Sequence, residues 1–90
     1  MSKFYYDLPD APLMFGSKGM HVDRMQWCLD HALKLTKRKR TAYKEASRYG
    51  RYTEAMVALF QTKYEIKCTG VFDNWTRAKL KEVLDADNIL

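Results

Sequence analysis

Ninety residues leave room for one domain around one hydrophobic core, since a chain this short buries only about 60 to 65% of its unfolded surface. Hydrophobic content of 47%, with two Trp, six Tyr and four Phe against four Gly and two Pro, argues against a disordered or all-turn chain. The net charge of +5 is uneven: residues 34–51 hold eight Lys or Arg against Glu45 alone, a local +7, and the remainder sums to −2.

Residues 1–12 read as an arm. Phe4, Tyr5 and Tyr6 precede Asp-Leu-Pro-Asp-Ala-Pro, which has two prolines and no helical period, so the segment either straps onto the core or docks elsewhere. The start, Met-Ser-Lys-Phe-Tyr-Tyr-Asp, lacks the apolar centre of a signal peptide, and no run approaches the roughly 18 to 20 apolar residues of a membrane span. Synthesis in the cytoplasm without a signal peptide is the expectation.

Gly16-Ser17-Lys18-Gly19 reads as a turn before a first helix, on which Val22, Met25, Cys28, Leu29, Ala32 and Leu33 share a face. The basic run that follows, an insertion at about 34–47, either extends this helix or forms a loop. A second amphipathic stretch follows Gly50, with Met56, Val57, Phe60 and Tyr64 on one side. A short extended link over 65–72 then leads to a third helix after Asp73, with Ala78, Leu80, Val83 and Leu84 expected inward. Cys28 and Cys68 have no ligand-like spacing and are expected as buried free thiols; neither a metal nor another cofactor is signalled.

The second and third helices begin alike. Tyr49-Gly50-Arg51-Tyr52-Thr53-Glu54-Ala55 and Phe72-Asp73-Asn74-Trp75-Thr76-Arg77-Ala78 share the order aromatic, cap, any residue, aromatic, Thr, any residue, Ala, at an offset of 23. The first aromatic is placed to pack beneath the helix start, Gly50 or Asp73 serves as cap, and Thr53 and Thr76 are placed to help satisfy the first-turn amides.

These residues carry a family resemblance. The stretch from Gly16 to Leu29 resembles the opening of the three-helix peptidoglycan-binding domain, which typically reads Gly-Ser-x-Gly-x-x-Val-x-x-Leu-Gln-x-x-Leu. Tyr49 to Gln61 resembles its second signature, Phe-Gly-Pro-x-Thr-x-x-Ala-Val-x-x-Phe-Gln, and Ile66 to Leu80 is similar to the third. The three matches keep the family's order and cover roughly residues 13–84. The departures are Ala46-Ser47 and Thr69-Gly70 at the two Asp-Gly turns, Arg51 and Asn74 at the two helix-start prolines, and the basic insertion.

The resemblance implies an all-α fold, a compact three-helix bundle with short extended links spanning 13–90. It also implies a non-catalytic module that holds an enzyme on the cell wall, as in wall amidases and phage endolysins; a phage origin fits a lone module. Wall glycans are gripped by flat rings and by groups that reach acetamides and carboxylates. The candidate ligand-binding residues are therefore Tyr52 and Trp75, with Arg51 and Asn74 beside them, and Trp27. For each ring the alternative is plain packing: Tyr52 and Trp75 against the core edge, Trp27 against the arm or insertion. Gln26 and Gln61 are expected to bond loop backbone, and His21 and His31 to be ordinary helix residues.

Lys37, Arg38, Lys39 and Arg40 are the candidate contacts to an anionic partner. No nucleophile, base and orienter converge in the sequence, so no enzyme is expected. The functional expectation is a peptidoglycan or wall-polymer binder acting at the wall or on a virion. The alternative is a virion structural or decoration protein that docks on other subunits. Nucleic-acid binding through the basic run ranks last, because only Tyr43 and Tyr49 stand within it as stacking residues.

Overall fold

The computed structural model describes residues 8–87. Three thirteen-residue helices carry the fold: α1 (Met20–Ala32), α3 (Arg51–Lys63) and α4 (Asn74–Ala86). Between α1 and α3 lie a 3-10 turn (Lys37–Lys39) and a one-turn helix, α2 (Thr41–Lys44). The fold is all-α; among the described residues there is no strand, only isolated antiparallel bridges joining Leu13 to Phe72 and Lys18 to Arg48.

The core follows the helical spacing. Val22, Met25, Cys28, Leu29 and Ala32 on α1 meet Val57 and Phe60 on α3 and Leu80 and Leu84 on α4, all buried. Because α1 touches all three other helices, its apolar stripe is covered along its whole length. Tyr49 and Phe72, the first aromatics of the two repeated helix starts, are buried beneath them. Ala78, expected inward, is instead exposed: it lies off the stripe defined by Leu80 and Leu84.

α1 and α3 end in the same way. Lys34 and Glu65 adopt left-handed φ values of 53° and 55°, and the next residue reaches back, Leu35 N–H to the Asp30 carbonyl and Ile66 N–H to the Gln61 carbonyl, at 3.0 and 2.9 Å. This is the Schellman closure, made here without glycine. It answers the ambiguity over the basic run: the helix stops at Ala32, and the insertion folds as the 3-10 turn and α2 rather than as a helical extension or an open loop.

The described part of the arm is strapped down. Arg77 donates from Nε to the Pro9 carbonyl at 2.8 Å and from Nη2 to the Leu8 carbonyl at 3.3 Å, while Leu8, Ala11 and Leu13 pack against the core. Phe4, Tyr5 and Tyr6 lie outside the described residues.

Candidate functional site

The starts of α3 and α4 are built on one buried amide each. Gln26 Nε2 donates to the carbonyls of Glu45 (2.8 Å) and Arg48 (3.0 Å) and to Thr53 Oγ1 (3.0 Å), while its Oε1 accepts from Ser47 N–H (3.0 Å). Gln61 repeats this at the second start, with partners offset by 23 residues from those of Gln26: Nε2 donates to Val71 O and Thr76 Oγ1, and Oε1 accepts from Thr69 and Gly70 N–H. Gln26 and Gln61 are fully buried and bond loop backbone. The matching turn residues, Ser47 and Gly70, share a left-handed backbone, φ 61° and 79°. A serine therefore holds at one turn the conformation for which glycine is the easier residue at the other.

The two caps differ. Asp73 Oδ1 accepts from Thr76 N–H at 2.8 Å, a side-chain N-cap. Gly50 has no side chain to offer, so the cap comes from Glu45, whose Oε1 accepts from Gly50 and Thr53 N–H and whose Oε2 accepts from Tyr52 N–H. Only glycine admits this: a Cβ on Gly50 would collide with Glu45 Oε2. Burial pushes the Glu45 carboxyl up, but hydrogen bonds from Thr53, Tyr52 and Gly50 outweigh it and the pKa falls below its ordinary value. The threonine hydroxyls serve the glutamines rather than the first-turn amides, with Thr76 also donating to Asp73 at 2.7 Å.

α1 runs one turn past Gln26, and that turn carries Asp30. The carboxylate is buried, accepting from Thr41 N–H (2.8 Å), Thr41 Oγ1 (2.6 Å) and Ala42 N–H (3.0 Å). It thus caps α2 and pins the insertion to α1. Burial, the largest influence, raises its pKa, and the hydrogen bonds to Thr41 and Ala42 and the Arg40 charge only partly oppose that.

The candidate residues fall into separate places. Trp75 is the most exposed large apolar side chain described, at 79%, and Asn74 beside it is exposed. Tyr52, at the equivalent position of α3, is half-buried: its phenol donates to the Lys39 carbonyl at 2.6 Å and Lys44 Nζ stands 5.2 Å from its ring centre. Arg51 is exposed, pairing with Glu54 at 3.1 Å and lying 3.8 Å over Phe15. Trp27 packs on the insertion, edge-on to Tyr43 at 5.6 Å with Arg40 5.8 Å from its ring. Lys37, Arg38 and Lys39 are exposed, and Arg40 is half-buried. The fold therefore gathers Tyr52 and Trp27 with the basic insertion and leaves Trp75 and Asn74 apart.

Sequence reasoning missed three residues. Asp30 had a signal, a carboxylate one turn beyond Gln26 on the buried side of α1; Glu45 had one as the lone acid of the basic block. Phe15 had none; it lines an open depression of about 280 Å³ with Lys18, Arg48, Tyr49 and Gly50. One thiol is also corrected. Cys28 is buried, but Cys68 is exposed in the link, its Sγ 3.6 Å from the Ala58 carbonyl.

Among the described residues no group of three or more His, Cys, Asp or Glu is arranged to hold a metal ion, and no helix is long and apolar enough to cross a membrane. Compared with protein-family models and with curated proteins, the chain matches none.

Proposed function

We propose that the chain is a non-catalytic module of the peptidoglycan-binding type that attaches to the bacterial wall, with Trp75 as its principal contact. The resemblance of residues 13–84 to the three signatures of that family is one support. Another is that each signature falls on a distinct part of the fold: the Gly16–Leu29 stretch on the turn and α1, the second on α3, the third on the link and α4. The glutamine within each of the first two signatures is the residue that bonds the turn before the next helix start.

The observation that carries the reading is the 79% exposure of Trp75 at a helix start held by an Asp cap, a Gln–Thr clamp and the buried Phe72. A large ring held open on a rigid frame loses little conformational entropy on binding, and its flat face suits the apolar side of a sugar ring. Asn74 stands beside it to meet acetamide or peptide groups.

Co-sedimentation with purified sacculi tests the reading. The protein is expected to pellet with sacculi, and Trp75→Ala to weaken that by about thirtyfold, the loss of one aromatic anchor. Failure to pellet, or binding indifferent to Trp75→Ala, refutes it.

A further inference from the structure

The basic insertion is a folded, docked face rather than an open loop. Its neutral atoms hold it: Thr41 and Ala42 are buried against Asp30, and the Lys39 carbonyl receives the Tyr52 phenol. Its cations point outward. Lys37, Arg38, Lys39 and Lys44 are exposed, and among the described residues none of them has a carboxylate within ion-pairing distance. Asp30 and Glu45, the acids facing this region, are both engaged by backbone amides.

Folding also changes which rings accompany these charges. Tyr49, within the basic run, is buried in the core, where its phenol donates to the Gly70 carbonyl at 2.6 Å. In its place Trp27 arrives from α1 and Tyr52 from α3. The result interleaves rings and cations: Lys37 and Arg40 lie 5.8 and 5.7 Å from the Tyr43 ring centre, Arg40 reaches Trp27, and Lys44 flanks Tyr52. Tyr43 stays 47% exposed at the middle of the cluster.

We propose that this face binds single-stranded nucleic acid, with Lys37, Arg38, Lys39 and Lys44 on the phosphates and Tyr43 stacked beneath a base. Cations tracking a backbone beside an exposed ring are the elements of sequence-independent single-strand binding. A duplex does not suit the face: its bases are stacked away from Tyr43, and four-residue α2 is too short to lie in a major groove as a recognition helix. A wall polymer of alditol phosphates would meet the cations but leave the ring idle. The face is separate from Trp75, so the inference stands independently of wall binding.

Fluorescence anisotropy of a labelled oligothymidine of about twenty nucleotides, titrated with the full chain at several salt concentrations, tests it. Four phosphate contacts give a slope of log K against log salt of about −3 on a single strand. Lys37→Ala with Arg38→Ala, both at exposed positions, should make that slope shallower by about 1.4. Tyr43→Ala should weaken binding about tenfold at unchanged slope, Tyr43→Phe should restore it, and Trp75→Ala should leave it alone. The proposal is overturned if no binding occurs at about 50 mM salt, if Tyr43→Ala has no effect, or if the matching duplex or poly(glycerol phosphate) binds equally well.

Discussion

Replacing Gln26 by alanine removes a side chain that is fully buried and bonded to four partners, the carbonyls of Glu45 and Arg48, Thr53 Oγ1 and Ser47 N–H. Arg48 is exposed, so water can replace that bond; Thr53 is fully buried, and Glu45 and Ser47 are half-buried. Stranding these three groups at about 1 kcal/mol each gives a loss of about 3 kcal/mol. A domain of this size has a total stability of about 5 to 13 kcal/mol, so the variant remains folded with about 2 to 10 kcal/mol left. The same loss lowers the melting temperature by about 12 to 24 °C. Urea unfolding followed by circular dichroism reads the change, and Thr53→Ala in a double-mutant cycle should show a coupling of about 1 kcal/mol. A loss below about 1 kcal/mol would mean that the 45–48 turn is held by its bridge to Lys18 and not by the amide, and would refute the clamp.

Gly50→Ala is expected to cost about 1 to 2 kcal/mol in urea unfolding by displacing the Glu45 cap. The same change should be nearly neutral in a Glu45→Ala background, where the carboxylate atoms nearest to that Cβ are gone. The two perturbed carboxyls pull stability in opposite directions with pH. Glu45, with a folded pKa below 4.5, adds stability that is present above that value and lost as pH falls through its folded pKa. Asp30, raised above 3.8, favours the folded state when protonated and loses that contribution as pH rises through its folded value. Acid titrations of stability should therefore be flatter in Glu45→Gln and steeper in Asp30→Asn than in the unaltered chain. Finally, Asp30→Ala should free the insertion: losing its bonds to Thr41 and Ala42, at about 3 kcal/mol, speeds tryptic cleavage at Lys37–Arg40 by about a hundredfold, read by mass spectrometry.

The helices were legible because their signals are local. Three- and four-residue spacing marked the faces of α1 and α3, and the repeated motif placed both later helix starts at the correct residue. Ala78 departs from the inward face expected of it with Leu80, Val83 and Leu84 because it stands two residues from Leu80, off the stripe; Ala55, its counterpart in the motif, is exposed too. The insertion was illegible for a different reason. Propensity allowed helix or loop, and the decision came from Asp30, eleven residues away from Thr41, through three hydrogen bonds that no local pattern announces. The candidate site split for the same reason: Tyr52 and Trp75 are equivalent in sequence, and what distinguishes them is which one the insertion reaches.

That distinction follows from loop length. Eighteen residues, 33–50, join α1 to α3, whereas ten, 64–73, join α3 to α4. The glutamine clamp uses only the last few residues of each loop, so the shorter loop has nothing left to cover the second-position ring of α4, and Trp75 is bare. The longer loop has a surplus, and Asp30 folds it back until the Lys39 carbonyl meets the Tyr52 phenol. Docking through amides, a hydroxyl and a carbonyl keeps the surplus ordered without spending its charges. One architecture, used twice with loops of different length, thus yields an uncharged ring at one helix start and a ring set among cations at the other. Two chemically different surfaces follow on a single small domain, a bare indole at the start of α4 and rings interleaved with cations beside the start of α3.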